Sequence, residues 1–389
     1  MLLIGLIGAP NKGKSTIFSS LTQMDVGIAN YAFTTIKPNL GVTYATKKCA
    51  DAALNVKCNP KNSFCRNGIR YLPVNVIDVA GLVPGAHLGK GMGNQFLDDL
   101  ISADALIQVV DMSGKTDVNG NACQTSNPFE EIEMVRNEMS EWLAHIITGH
   151  MQKLSKRQDG DRAMIELLSG LKADINQIKT AAEANFLSIS NINWSYDNAK
   201  LFASSLLNVT KPTIVAANKM DIAAPESLKS LRSKMPGIEI VPCSGAIELA
   251  LMKAEKANII NYTRGDADFR VVGTINREQE TALEYIRRYL KSNGTTGIQE
   301  LINNAVFKLL NNIVVYPVED EASYSDHSGN VLPDAILMKS GSTAYDLASR
   351  IHTEIAKGMK YAVDARTKMR LQKEYKLEDG DVIKIVTTR

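Results

Sequence analysis

Residues 8–15 read Gly-Ala-Pro-Asn-Lys-Gly-Lys-Ser, the spacing GxxxxGK[ST]. Such a loop can wrap its backbone N–H groups around phosphate oxygens, an approach that bulky side chains would block. Lys14 would bring a point charge to the β- and γ-phosphates, and the Ser15 hydroxyl would ligate Mg²⁺. Pro10, Asn11, Lys12, Gly13 and Thr16 complete the expected cradle. An apolar run precedes the loop and helix-forming sequence follows it, so a helix N-terminus would face the anion. By itself the loop implies a nucleoside triphosphate and no particular base.

Three further groups narrow the chemistry. Asp78-Val79-Ala80-Gly81 suits a carboxylate that holds Mg²⁺ through water, with the Gly81 amide sensing the γ-phosphate. In Asn218-Lys219-Met220-Asp221, the Asp221 carboxylate can accept from N1–H and the 2-amino group of guanine, a donor pair that adenine lacks. A site built on that pairing rejects the wrong base, because mispairing leaves buried polar groups unsatisfied. Cys243-Ser244-Gly245-Ala246 would add backbone donors to guanine O6. The order of these groups implies hydrolysis of GTP to GDP and phosphate. Lys14, Thr35 and Gly81 would stand nearest the reaction, and Ser15, Thr35 and Asp78 around Mg²⁺. Thr35 is the first choice for a switch threonine that reaches the ion when the γ-phosphate is present, with Thr34 as alternate. Plain β-strand threonines are the competing reading of Phe33-Thr34-Thr35-Ile36.

Strands must carry these groups. Leu2–Ile7, Pro73–Asp78, Ala105–Asp111 and Pro212–Asn218 are short apolar runs that end in glycine or a polar residue, as at the carboxyl edge of a parallel sheet. Alternation with helical segments gives a doubly wound α/β fold over residues 1–126 and 204–260. Residues 127–203 interrupt it as a helical insertion, opened by Asn127 as N-cap, Pro128 at the first helical position, and Glu130 and Glu131 in the first turn. A second helix is expected from Arg162 to Leu187. Residues 261–311 read as a helical connection broken at Gly294–Gly297, and residues 312–389 as a small α+β module.

The chain has 389 residues, of which 44% are hydrophobic and 22% charged, which suits a soluble globular protein of two or three domains. A net charge of +2 gives no global nucleic-acid signature, and recognition of a DNA sequence is not expected. The apolar N-terminal run lacks a basic flank and a cleavage site, and no run is long enough to span a bilayer. Five cysteines without secretory context imply reduced thiols and a cytoplasmic location. Cys49, Cys58 and Cys65 lack the CxxC pairing of structural zinc sites, so free or buried thiols are expected there.

GAPNKGKST, AFTTIKPNLG, DVAGLVPGAHLGKGMGNQFL and NPFEEIEMV together resemble the Obg family of GTPases, and specifically its YchF-like branch. LPDAILMKSGSTAYDLASRIHTEIAKG and DARTKMRLQKEYKLEDGDVIKI look like a TGS domain, a ubiquitin-like module. The resemblance covers nearly the whole chain and implies a ribosome or RNA partner and a role in translation. Many members of that branch alter the base-reading tetrad to accept adenine, whereas this chain keeps Asn218, Lys219 and Asp221. Gly245 stands where alanine is usual, a change expected to be tolerated. Leu82 follows Gly81 in place of the water-orienting glutamine of Ras-like enzymes, so hydrolysis should be slow unless a partner or ion assists. Asn11 occupies the position that helps hold K⁺ in related GTPases, although Asn also simply favours turns.

Gly85, Gly89, Gly91 and Gly93 read as a switch loop, with His87 more plausibly exposed than catalytic. Lys357, Lys360, Arg366, Lys368, Arg370 and Lys373 form a basic run that either meets phosphates or is a solvated face, the second being the commoner case. The rival functional classes are a nucleotide-gated ribosome or RNA adaptor with negligible turnover, and an ATPase.

Overall fold

A computed structural model describes residues 1–23, 39–79, 81–88, 100–157, 159–189 and 192–388. Thr34, Thr35 and the glycines at 89, 91 and 93 lie outside the described residues. Seven strands form the larger sheet: β1 (Leu3–Ile7), β2 (Leu40–Lys48), β3 (Phe64–Arg66), β4 (Ile69–Asp78), β5 (Ala105–Asp111), β6 (Thr213–Asn218) and β7 (Ile240–Pro242). Their order is β2-β4-β1-β5-β6-β7, with β3 antiparallel on β4.

The α/β expectation holds because β1, β4, β5, β6 and β7 pair in parallel. Register aligns their polar ends: Leu6 lies opposite Asp78, and Asp111 opposite Asn218. Both faces of β5 are buried, which is why ALIQVVD reads as a continuous apolar run instead of an alternation.

By packing, the chain falls into two compact units, the first holding the described residues among 1–23, 39–41 and 75–301, and the second those among 42–74 and 302–388. In the first, helix Pro128–Leu154 begins as its sequence dictates, with the Asn127 side chain accepting from Phe129 N at 3.2 Å. Its stripe of Val135, Met139, Trp142, Leu143 and Ile147 shares a core with Ala199, Phe202 and Leu206 of helix Tyr196–Thr210. The single helix expected from 162 to 187 is instead two, Gly160–Leu167 and Ile175–Glu183. Lys172 takes a left-handed backbone, and Asp174 starts a new helix through a reciprocal capping box with Gln177. Residues 261–276 are likewise not helical. They hold the small ladder of β8 (Ile260–Asn261) and β9 (Arg270–Val271), before helix Arg277–Asn293 opens on a capping box of Asn276 and Gln279.

The second unit contains β10 (Asn312–Val318), β11 (Ile336–Lys339), β12 (Met359–Asp364), β13 (Arg370–Leu371) and β14 (Val382–Thr387), in the order β11-β10-β14-β12-β13. Helix Ala344–Ile351, capped by Thr343, packs Leu347 and Ala348 against Val315, Met359 and Ile383. Residues 42–74 belong to this unit through Cys49 and Leu72, which share a core with Val314, Tyr316, Leu332 and Val382.

Four of the six basic side chains have partners within the unit, two of them carboxylates. Lys357 pairs with Glu354 at 2.8 Å, Arg366 with Asp381 at 2.7 Å, Lys368 donates to the Glu321 carbonyl, and Arg370 stacks over Tyr361 at 3.9 Å. Those contacts favour a solvated structural face over a phosphate-binding patch. Among the described residues, no helix is long and apolar enough to cross a membrane.

Candidate nucleotide-binding site

The loop after β1 turns through two glycines that no other residue could replace. Gly8 has φ +143°, and a Cβ there would lie 2.5 Å from the Val109 carbonyl oxygen. Gly13 has φ +93°, and a Cβ would lie 2.3 Å from Asn218 Nδ2. Lys14 caps the loop from within, donating from Nζ to the carbonyls of Gly8 at 3.1 Å and Ala9 at 2.9 Å. Burial pulls its pKa down, partly countered by the charge of Asp78. A Cβ on Gly81 would approach Lys14 Nζ to 3.1 Å and Pro10 Cγ to 3.2 Å, so a side chain here would crowd the loop. Leu82 N–H donates to the Gly8 carbonyl at 3.1 Å, while the Leu82 side chain is buried in the core beside Val79 and Leu100. Leucine at 82 is therefore a packing residue.

Ser15 Oγ donates to Asp78 Oδ2 at 2.7 Å, which brings together the two described residues expected around Mg²⁺. Asp78 Oδ1 is buried and accepts from no described residue. A hydroxyl and an unsatisfied carboxylate oxygen form the hard oxygen donor set that suits Mg²⁺, so the residues present fit the ion.

Asn218 ties three loops together. Its Nδ2 donates to the Lys12 carbonyl at 2.9 Å, and its Oδ1 accepts from Gly245 N at 3.0 Å. Lys219, at φ +62°, sends Nζ to the Asn11 carbonyl at 3.0 Å and to Asp111 Oδ2 at 2.8 Å. Asp221 Oδ1 accepts from Ser244 Oγ at 2.7 Å, and its carbonyl accepts from Tyr285 Oη at 3.0 Å. Asp221 Oδ2 takes no hydrogen bond from the described residues, so it is available to a base. Of the backbone donors expected at 244–246, Ser244 N is spent on the Thr296 carbonyl and Gly245 N on Asn218. Exposed Ala246, in the first turn of helix Gly245–Lys256, retains its N–H.

Gly245 is not there for flexibility. A Cβ would sit 2.8 Å from Ile17 Cγ1, so the residue lets helix Gly245–Lys256 pack closely on helix Lys14–Thr22. Asn11 adopts φ +61° and donates from Nδ2 to the Gly120 carbonyl at 2.9 Å. Only its Oδ1 could serve a cation. Thr16 is half-buried in the first turn of helix Lys14–Thr22.

Several supporting residues carried no recognisable signal. The Lys12 side chain turns inward, where Nζ meets Glu131 Oε1 at 2.5 Å, Thr116 O and Oγ1 at 2.9 Å, and Asp117 O at 2.8 Å. Burial pushes the Glu131 carboxyl up against the pull of Lys12. In the sequence Glu131 is simply an acidic residue in a helical first turn. Asp111 is fully buried, yet hydrogen bonds from Lys219, Ser113 and Thr116 outweigh its desolvation and hold its pKa down; the polar end of β5 was its only trace. His87 is anchored rather than free, with Nδ1 at 2.7 Å from Glu138 Oε2 and its ring stacked on His145 at 5.5 Å. Glu138 also accepts from Gly85 N at 2.8 Å.

Residues 3–151 match the family model of a 50S ribosome-binding GTPase, residues 216–320 that of an Obg-like GTPase, YGR210-like, G4 motif-containing domain, and residues 328–387 that of the TGS domain. An uncharacterized GTP-binding protein of Methanocaldococcus jannaschii is 48% identical, over 100% of this chain and 99% of its own length. The crystal structure of a GTP binding protein from Pyrococcus horikoshii is similar at 37% identity and a TM-score of 0.80, covering 100% of both chains. The ribosome-binding ATPase YchF of Buchnera aphidicola (Acyrthosiphon pisum) is 26% identical over 97% of each chain.

Proposed function

Because the chain belongs to the Obg-like, YchF-related family of P-loop GTP-binding proteins, we propose that it is a GTP-selective, Mg²⁺-dependent hydrolase acting as a slow switch on the ribosome. The observation that carries the base assignment is the intact Asn218-Lys219-Met220-Asp221 corner, with the Asp221 carboxylate oriented by Ser244 at 2.7 Å. An acceptor-only carboxylate suits the two donors of guanine and repels the acceptor nitrogen N1 of adenine.

Ser15 and Asp78, with Thr35 as the expected third residue, would hold Mg²⁺, which when bound neutralises charge on the β- and γ-phosphates. Lys14 and the backbone N–H groups of residues 11–16 position the phosphates, and Gly81 brings its amide to the γ-phosphate side. No side chain at 82 orients water, which supports slow intrinsic turnover. Asn11 Oδ1 offers a place for K⁺, and GTPase rates in KCl and NaCl with and without Asn11→Ala decide whether it is used; identical rates remove the cation. A ribosomal partner rests on the name of the Buchnera relative, and a cytoplasmic site of action would follow from such a partner.

The deciding experiment compares dissociation constants for GTP and ATP on wild type and Asp221→Asn. Two charge-assisted hydrogen bonds at about 1.5–3 kcal/mol each predict that the variant loses at least about a hundredfold in GTP affinity. ATP bound as tightly as GTP by the wild type would refute guanine selectivity.

A further inference from the structure

The second unit contains four potential ligands that the sequence scatters and the fold gathers. Cys49 follows β2, Asp51 opens the short helix Asp51–Leu54, Cys58 lies in the next loop, and Cys65 is the central residue of β3. Three thiol sulfurs and one carboxylate oxygen from these residues all lie within 4.8 Å of one another. The separations are 3.9 Å for Cys49 Sγ to Cys58 Sγ, 3.1 Å for Cys58 Sγ to Asp51 Oδ2, and 3.8 Å for Cys65 Sγ to Asp51 Oδ2. A tetrahedral ion with Zn–S near 2.3 Å and Zn–O near 2.1 Å demands ligand–ligand edges of roughly 3.5–3.8 Å. The observed set brackets those edges. It does not suit a disulfide between Cys49 and Cys58, whose sulfurs stand nearly twice the bond length of about 2.05 Å apart.

Two features around the cluster point the same way. Asp51 Oδ1 accepts from Ala52 N at 2.7 Å, which turns Oδ2 toward the sulfurs. Arg70 lies directly across the β3–β4 hairpin from Cys65, so the two side chains leave the sheet on the same face. Its guanidinium is fully buried, yet only Nη2 is hydrogen-bonded, to the Leu332 carbonyl at 2.7 Å. Nε and Nη1 find no acceptor among the described residues. A buried cation left this way is costly unless negative charge lies nearby. A divalent ion bound by three thiolates and one carboxylate carries a net charge of −2, which would add to the Asp334 carboxylate and the Tyr316 ring, 5.7 Å away, in offsetting the guanidinium.

We propose that Cys49, Asp51, Cys58 and Cys65 form a structural zinc site that fastens the segment between β2 and β3 to the hairpin. Soft thiolates select zinc over Mg²⁺ or Ca²⁺. With four protein ligands the site has no open position, so its role is to hold the fold. Binding converts three thiols to thiolates and releases three protons, with no change of oxidation state. The nucleotide site shares none of these residues, so the inference stands apart from the proposed hydrolase.

Full-length protein purified under reducing, chelator-free conditions should contain close to one zinc per chain by mass spectrometry. Cys58→Ser should abolish that content, while Cys123→Ser, which alters a cysteine outside the cluster, should leave it intact. Asp51→Asn should weaken retention against a chelator roughly tenfold or more. Wild-type protein stripped with a mercurial and refilled with Co²⁺ should show sulfur-to-cobalt charge transfer and the intense visible bands of a tetrahedral site. The proposal is overturned if reduced wild-type protein neither carries stoichiometric zinc nor gives that cobalt spectrum, or if Cys58→Ser keeps its zinc. The cobalt arm uses unmutated protein, so misfolding of a variant cannot mask the answer.

Discussion

Removing the carboxylate of Glu131 tests whether the phosphate loop depends on the first turn of the inserted helix. Lys12 is fully buried and the Glu131 side chain is 2% exposed, so Glu131→Ala leaves an ammonium in the interior. Breaking a buried pair by removing one partner costs about 3–5 kcal/mol. Three neutral acceptors remain around Lys12 Nζ, two on Thr116 and one on Asp117, which places the loss near the lower end, about 3 kcal/mol. For a unit of this size that is a fall of roughly 6–12 °C in melting temperature. Trp142 and Trp194 are the chain's two tryptophans, and both lie buried in the first unit, so their fluorescence reports its unfolding without a label. The double variant Lys12→Met/Glu131→Leu removes both charges and should recover to within about 1–2 kcal/mol of wild type. A coupling energy of about 2 kcal/mol or more is expected from the cycle. Lys12→Met alone should be milder at acid pH than at alkaline pH. Burial already raises the Glu131 pKa, and a carboxyl with a raised folded pKa loses stability as pH rises through it. Additive single effects, or a Glu131→Ala midpoint indistinguishable from wild type, would refute the reasoning.

Glu138 binds residues 85–87 to the inserted helix, and hydrogen bonds from Gly85 N and His87 outweigh desolvation to hold its pKa below the ordinary 4.5. A carboxylate with a depressed folded pKa contributes stability above 4.5 that is lost as pH falls through the lower value. Urea midpoints of the wild type should therefore drop on acidification more steeply than those of Glu138→Gln, and parallel profiles would exclude the role. Gly245→Ala should cost about 1–3 kcal/mol and weaken GTP binding, because its Cβ meets Ile17 Cγ1 at 2.8 Å. By contrast, Gly149→Ala within helix Pro128–Leu154 meets nothing within 4 Å and should stabilise by about 0.5–1 kcal/mol. Equal effects at the two glycines would show that helix propensity, not packing, decides both.

What the sequence made legible is what local chemistry constrains. The glycines of the phosphate loop, the polar ends of β4 and β6, and the Asn127 cap each follow from spacing within a few residues. Partners far apart in the chain left no such mark. Lys12 was read for its place in an anion cradle, and nothing in the sequence linked its side chain to Glu131, 119 positions away. The helix expected over 162–187 failed because capping at Asp174 outweighed a continuous apolar pattern. The gathering of the cysteines was hidden for a related reason. CxxC marks sites made by one tight turn, whereas Cys49, Cys58 and Cys65 are gathered by a strand end, a loop and a hairpin, and only the fold sets their distances.

The two ends of the proposed nucleotide site form one mechanical object. Asn218 Nδ2 holds the Lys12 carbonyl, Lys219 holds the Asn11 carbonyl, and Asp111 anchors Lys219 from the strand between them. A base seated on Asp221 therefore bears on the same peptide groups that shape the phosphate cradle. Adenine at that corner would leave Asp221 unpaired and strain a network whose other end is the loop of Gly13 and Lys14. Base selectivity should then be read in phosphate affinity as well as base affinity. On this argument Asp111→Ala, which touches neither base nor phosphate, should weaken GDP and inorganic pyrophosphate binding together.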